Sequence, residues 1–357
     1  MLILFDVQEF YYLPQYLPVV RVLRERGCEC RLVVYRNSDF HELYQQAIAA
    51  EDVPVEWVAD SDEALVCYLR QKADWVVFGN RFARVEQLHK VSRSAQLGHG
   101  VGPKRSYYTK SSLPMTVRFV EGEGRYALIR QMYPGDNFVK TGFAKLDRAF
   151  RGEEPGFDLA ANGLDPSRKT ILYAPTFYPS SLECFPDRFP EDLPDCNIII
   201  KPHFFSLVKK RYARQRRKLE LWQKYPHVYL AGMAEQSLVP FMVTADLLIS
   251  EASSALFEFA ALDKPIVWCD FLKLRWTYRG PLRYRFDRRM DPDILNYRDL
   301  GAHAARYREL PRVVAGQLAE PGMFAEKRRE YSDALVGTTD GRAAERIAAY
   351  LMEHGSD

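Results

Sequence analysis

Apolar residues along the chain come in short runs separated by longer stretches in which they recur every third or fourth position. The short runs predict buried strands and the periodic stretches predict crossover helices, the alternation of a parallel α/β sheet. In the first half the predicted strands are 1–6, 30–36, 53–59, 74–79, 94–100, 117–122 and 137–143, with helices over 13–26 and 61–72. A polar stretch carrying Gly and Pro, 151–169, breaks both periodicities and reads as a linker. The pattern then restarts with strands over 170–177, 196–203, 227–232, 245–251 and 265–270. Helices are predicted over 204–224, 235–244, 253–262 and, strongly amphipathic, 341–355.

This organisation predicts an α/β protein of two Rossmann-like, doubly wound parallel-sheet domains. The first spans 1–150, the linker 151–169 and the second 170–340, with 341–357 a closing helix that packs back on the first domain. Two such domains in tandem would leave a cleft between them. Ligands of doubly wound sheets sit outside the carboxyl ends of the strands, so the residues just after each strand carry the functional expectation.

Composition narrows the class. With 47% hydrophobic residues and mixed charge, the 357-residue chain reads as globular. No apolar run reaches the roughly 18 residues of a membrane span. The N-terminal run lacks a basic leader and soon meets Asp6 and Glu9, so no secretory signal is expected and the location is expected to be cytoplasmic. Six scattered cysteines read as reduced thiols. A net charge of +3 gives no argument for nucleic acid, but the cations cluster: 209–224 and 282–290 interleave them with aromatics. Such stretches are solvated helix faces or surfaces for anionic lipid or a polyanionic polymer.

Several strand ends carry candidate chemistry. In "IIIKPHFF", Lys201 and His203 follow a buried strand, where a cation and an imidazole can meet a phosphate from two directions. In "LLISEASSALFEFAAL", Ser253 or Ser254 is placed to cap a helix whose first N–H groups suit phosphate. Glu258 lies one turn further on, and "YAPTF" places the hydroxyl of Thr176 near another strand end. In "GHGVGPK" the glycines are spaced G-x-G-x-G, which is not the dinucleotide fingerprint, and they leave room for a ligand beside His99. The carboxylate pairs at 60–62 and 291–293 are short and common, and no metal is expected.

In this order the pieces resemble the CDP-glycerol glycerophosphotransferase family, the teichoic-acid primases and polymerases. Its motifs run roughly WHGTPLK, G-x-P-R-x-D, APT, KPH and SD-x-LI-[ST]-[DE]-x-SS-x-x-F-[DE]-F. Here they read "GHGVGPK" (98–104), "GFAKLD" (142–147), "APT" (174–176), "KPH" (201–203) and "ADLLISEASSALFEF" (245–259). The resemblance implies a GT-B fold with acceptor binding in the first domain and CDP-glycerol in the second. It implies His99 as general base on the acceptor hydroxyl, with Lys104 on the acceptor side. It implies His203 at the diphosphate, Lys201, Ser253, Ser254 and Thr176 at phosphate oxygens, and Glu258 at the glycerol or ribose. The chain departs from the pattern at Gly98, where the family has Trp, at Val101 for Thr, at Ala144 and Lys145, and at Tyr178, where Arg is frequent.

The reaction so implied moves glycerol phosphate, or a related alditol phosphate, from a CDP donor to an acceptor hydroxyl and releases CMP, with no cofactor. The acceptor would be a lipid-linked or polymeric saccharide, and the chain would sit on the inner face of the cell membrane. Two other readings use the same cleft: a GT-B glycosyltransferase using a CMP- or UDP-sugar for surface polysaccharide, and a non-catalytic nucleotide-binding module.

Overall fold

All twelve predicted strands form, in a computed structural model that describes residues 1–36, 41–49, 51–103, 108, 114–287 and 292–355. The first sheet holds β1 (Leu2–Val7), β2 (Glu29–Tyr35), β3 (Val55–Val58), β4 (Trp75–Phe78), β5 (Arg93–Leu97), β6 (Val117–Val120) and β7 (Phe138–Lys140). Their order is β3-β2-β1-β4-β5-β6-β7, and every pairing is parallel. The second holds β8 (Thr170–Ala174), β9 (Asn197–Ile200), β10 (Val228–Leu230), β11 (Leu247–Ser250), β12 (Ile266–Cys269) and β13 (Ala302–Ala304), ordered β10-β9-β8-β11-β12-β13 and again parallel. Each is a doubly wound sheet whose strand order reverses once, between β1 and β4 and between β8 and β11. Those reversals are where such sheets open a crevice for ligand.

The central strands are apolar on both faces because helices cover both. Ile3, Phe5, Val7 and Val77 point into one core of the first unit, while Leu4, Val76 and Phe78 point into another. In the second unit Tyr173, Phe185, Phe189 and Trp222 pack with Ile198, Ile200 and Ile249. The helix Ser61–Gln71 starts where Asp60 accepts from the N–H groups of Asp62 (2.8 Å) and Glu63 (3.0 Å), so the first of the carboxylate pairs is a helix cap.

The chain divides into two units, Met1–Arg151 with Asp333–Asp357, and Gly152–Ser332. Residues 152–169 belong to the second unit rather than forming a separate linker. Phe157 packs on Tyr229 and Phe241, with ring centroids 4.5 and 5.0 Å apart, and its N–H donates to Thr244 Oγ1 at 2.7 Å. The chain returns to the first unit at Asp333, before residue 340. Gly337, at φ +86°, lies so close to Glu121 that an added Cβ would stand 2.3 Å from its carbonyl oxygen. The last helix, Ala343–Glu353, buries Ile347 and Leu351 in the first core. Asp147 accepts from the N–H groups of Ala343 (3.1 Å) and Ala344 (2.7 Å), and Trp75 Nε1 donates to the Leu351 carbonyl at 2.9 Å. Among the described residues no helix is long and apolar enough to cross a membrane.

Several expected elements differ in extent, β8 and β9 among them, which stop at Ala174 and Ile200 rather than 177 and 203. Strand β5 stops at Leu97 rather than running to 100, and the helix expected from 235 starts at Val239. The helix expected over 204–224 is broken into Phe204–Val208, a 3-10 turn at Lys210–Tyr212 and Ala213–Trp222, because Lys209 adopts extended backbone (φ −77°, ψ 128°).

Candidate active site

In the first unit three loops meet at the β1/β4 reversal. Tyr12 follows β1, Gly79 follows β4 and His99 follows β5. Nδ1 of the half-buried His99 lies 3.0 Å from the Gly79 carbonyl oxygen, and its ring stacks on Tyr12 with centroids 5.0 Å apart at 26°. Tyr11 closes on its edge at 5.1 Å. A carbonyl only accepts, so His99 Nδ1 carries the proton and Nε2 is the basic nitrogen. Gly79 makes the stack attainable, since a Cβ there would sit 2.5 Å from Tyr12 Cδ2. Burial raises the Tyr12 phenol far above its ordinary range, so it is a neutral wall.

Gly98, where the family has Trp, backs onto a buried ion pair of Glu121 and Arg125. A Cβ at Gly98 would lie 3.1 Å from Glu121 Oε1 and 3.7 Å from Arg125 Nη1. Burial pushes the Glu121 carboxyl up, and Arg125 opposes it. Val101 is fully buried, so the departure there is a packing choice. Lys104, expected on the acceptor side, lies outside the described residues, as does Asp291 of the second carboxylate pair.

In the second unit the β8/β11 reversal gathers most of the predicted donor-side residues. His203 is the N-cap of Phe204–Val208, and its Nδ1 accepts from the Phe205 N–H at 3.1 Å. An N–H only donates, so here Nε2 bears the proton, the reverse of His99. His203 therefore has a donor nitrogen at Nε2 and His99 an acceptor nitrogen at Nε2. Phe177 packs on His203 at 4.6 Å and ties it to the loop after β8. Lys201, at the end of β9, is half-buried, and that burial pulls its ammonium down to about 8 while Glu235 favours the charged form.

Ser253 caps Ser254–Ala260 by position (φ −145°, ψ 165°) without a side-chain cap bond. Ser250 donates to the Ala174 carbonyl at 2.7 Å, so the 3.2 Å contact between Ser250 and Ser253 has the Ser253 hydroxyl as donor. Ser254 opens the helix, and Glu258 is 2% exposed on its inward face. The Thr176 hydroxyl donates to the Pro179 carbonyl at 2.7 Å and shapes the loop after β8.

Glu251, directly after β11, is the residue that inspection of the sequence did not single out. It is 2% exposed. Its Oε2 accepts from the Thr176 N–H at 2.8 Å, and its Oε1 accepts from Ser180 Oγ (3.1 Å), Ser181 Oγ (2.6 Å) and the Ser181 N–H. Burial raises its carboxyl against those four donors. It pins the loop that carries Phe177. The signal was present as the acidic position after the strand in "LLISEASS".

Known proteins resemble this chain in sequence and fold. Residues 125–353 match the family described as CDP-Glycerol:Poly(glycerophosphate) glycerophosphotransferase, a segment that holds every second-unit residue above and omits His99. A teichoic acid glycerol-phosphate primase of Bacillus spizizenii is 32% identical over 135 residues, 38% of this chain and 34% of the relative. One of Bacillus subtilis is 33% identical over 116 residues, 32% of this chain and 29% of the relative. The matched part thus spans about a third of these relatives' length. A structure of the wall teichoic acid polymerase TagF superposes with a TM-score of 0.67 at 16% identity, covering 99% of this chain and 88% of that one. A UDP-GlcNAc 2-epimerase from Neisseria meningitidis does so with a TM-score of 0.59 at 13% identity, covering 99% and 100%. At those identities the likeness shows the fold, two parallel-sheet α/β domains of the GT-B class. By the match over 125–353, well over half its length, the chain belongs to the CDP-glycerol:poly(glycerophosphate) glycerophosphotransferase family.

Proposed function

We propose that the protein transfers glycerol phosphate, or a related alditol phosphate, from a CDP-activated donor to an acceptor hydroxyl during synthesis of a cell-surface polymer. The observation that carries this reading is the opposite protonation of the two histidines, each set by one backbone partner. His99 Nε2 takes the proton of the acceptor hydroxyl as its oxygen forms a bond to the β-phosphorus. The bond from that phosphorus to the bridging oxygen breaks, and CMP leaves with the electron pair. His203 Nε2–H and the Lys201 ammonium stabilise the charge that grows on the leaving phosphate. Ser253, Ser254 and the helix start they form hold phosphate oxygens, and Glu258 faces the polyol or ribose. Glu251 acts on these groups only by fixing the loop.

The acceptor in this reading is a lipid-linked or polymeric saccharide, with Lys104 on its side of the reaction. A location on the inner membrane face follows, and the exposed cations Lys210, Arg217 and Lys224 supply a surface for anionic lipid. The test is a mass-spectrometric assay of the whole chain with CDP-glycerol, other CDP-alditols, nucleotide sugars and candidate acceptors. CMP release with alditol phosphate added to the acceptor is expected. Transfer from a nucleotide sugar in preference to every CDP-alditol contradicts the proposal.

A further inference from the structure

A second concave site lies within the second unit, on the side of the Phe177 loop where Gln215 Nε2 donates to the Phe177 carbonyl at 3.0 Å. It is a cavity of about 700 Å³ lined by six cations: Arg211, Arg214, Lys218, Lys273, Arg275 and Arg279. Arg214 and Lys218 stand one turn apart on the helix Ala213–Trp222, with Arg211 just before it. The other three come from the segment after β12. A single carboxylate, Glu183, joins them, and it accepts from Gln215 Nε2 at 3.2 Å. Among the described residues none of the six forms an ion pair, although elsewhere on the surface Arg and Lys are paired many times over.

The two banks are held in place. Tyr178, which stands where the family often carries Arg, accepts from the Arg275 N–H at 2.9 Å, and the Arg275 guanidinium lies 4.2 Å from its ring centroid. The same guanidinium is 5.4 Å from the ring of buried Tyr212. Lys218 donates to the backbone carbonyls of Leu182 and Phe185. Six convergent cations with one carboxylate among them repel one another, and an anionic occupant relieves this. Gln215 gives a second indication. It is 1% exposed, lines the cavity, and its Oε1 has no hydrogen-bond partner among the described residues. A buried lone acceptor calls for a donor, so the occupant carries hydroxyls as well as negative charge.

We infer that this groove holds a chain of alditol phosphates joined by phosphodiesters, the growing polymer itself, with several of its phosphates on the six cations and a hydroxyl on Gln215. The inference rests on the transfer proposed above, because that reaction lengthens such a chain. One nucleotide diphosphate is too small a charge to match six cations. A membrane presents a flat surface, whereas this site is recessed over buried Tyr212 and Gln215. The 77% exposed Trp276 at its rim gives the polyol backbone an apolar face to lie along.

The experiment titrates the full chain calorimetrically with glycerol-phosphate oligomers of increasing length, with inorganic phosphate and with phosphatidylglycerol vesicles. Wild-type affinity is expected to rise with oligomer length and to fall with salt. Arg214→Gln/Lys273→Gln/Arg279→Gln is expected to bind the long oligomers about tenfold or more weakly, the loss of charged contacts, with CMP affinity unchanged. Should that variant fold poorly, Arg214→Gln/Lys273→Gln serves, because those two side chains make no hydrogen bond within the described residues. Wild-type oligomer affinity in the variants overturns the inference. So does affinity for inorganic phosphate with no gain from length, and so does binding to vesicles but not to oligomers. Failure of the transfer reaction itself would show separately, as absent CMP release from CDP-glycerol while oligomers still bind.

Discussion

Glu251 offers a test in which the size of the effect can be worked from the hydrogen bonds. Replacing it by Gln keeps an acceptor oxygen at the Oε1 position, where Ser180 Oγ, Ser181 Oγ and the Ser181 N–H converge. The amide NH₂ then faces the Thr176 N–H, 2.8 Å from the lost Oε2, so one buried backbone donor is stranded against another donor. A buried unsatisfied donor costs about 1–3 kcal/mol. Glu251→Ala strands two backbone donors that cannot turn away, those of Thr176 and Ser181, while the two hydroxyls can rotate, so its cost is roughly twice as large. For a domain of about 150–250 residues, each kcal/mol lowers the melting midpoint by about 2–4 °C. The expected order is wild type, then Gln, then Ala. Because Phe177 rides on this loop and packs on His203, donor affinity should fall in the same order. Urea unfolding and calorimetric titration with CDP-glycerol measure both. A Gln variant with wild-type stability and donor affinity, or an Ala variant more stable than Gln, refutes the reasoning.

Three further outcomes follow from named contacts. Lys201 is charged below the value of about 8 to which burial pulls it and neutral above, so kcat/KM for the donor should decline as pH rises through about 8. Lys201→Arg should carry activity to higher pH, and an unchanged alkaline limb counts against the role. Burial raises the Asp6 carboxyl from 3.8 to about 7, with the hydroxyls of Tyr68 and Tyr35 donating to its Oδ2. A folded value above the unfolded one means stability complete below about pH 4 and lost as pH rises through about 7, so Asp6→Asn should flatten the urea midpoint between those limits. Gly79→Ala puts a Cβ 2.5 Å from the Tyr12 ring and should shift the ring under His99, lowering turnover while a urea midpoint reports about 1–3 kcal/mol of overpacking. Wild-type turnover in that variant would mean the stack does not position His99.

Much of the fold was legible because a doubly covered parallel strand must be apolar on both faces, and twelve such runs stand out. The thirteenth, Ala302–Ala304, is two alanines flanking His303 at a sheet edge, with no apolar run to betray it. The strand ends were overextended: the ladders stop with the last apolar residues, Leu97 of β5 and Ile200 of β9, and the Gly98–Gly100 and Lys201–His203 segments that follow are loops. The break at Lys209 follows from backbone that no periodicity records. Residue type and position after a strand singled out Lys201, His203 and Ser253, and the structure has the first two directly after β9 and the third at a helix start. What sequence could not supply was direction. The donor and acceptor nitrogens of the two histidines depend on the Gly79 carbonyl and the Phe205 N–H. The Thr176 hydroxyl proved to serve its own loop, and the convergence of Arg211 and Arg214 with Arg275 and Arg279 needs the fold to bring residues 211–218 and 273–279 together.

The central claim is that His99 Nε2 is the base. Single-turnover CMP release by His99→Ala, measured beside calorimetric affinity for CDP-glycerol, tests it most directly. The predicted result is a loss of roughly 10²–10⁴ in rate, the usual worth of a general base, with donor affinity unchanged because the donor groups lie in the second unit. A variant that releases CMP to its acceptor at the wild-type rate contradicts the account.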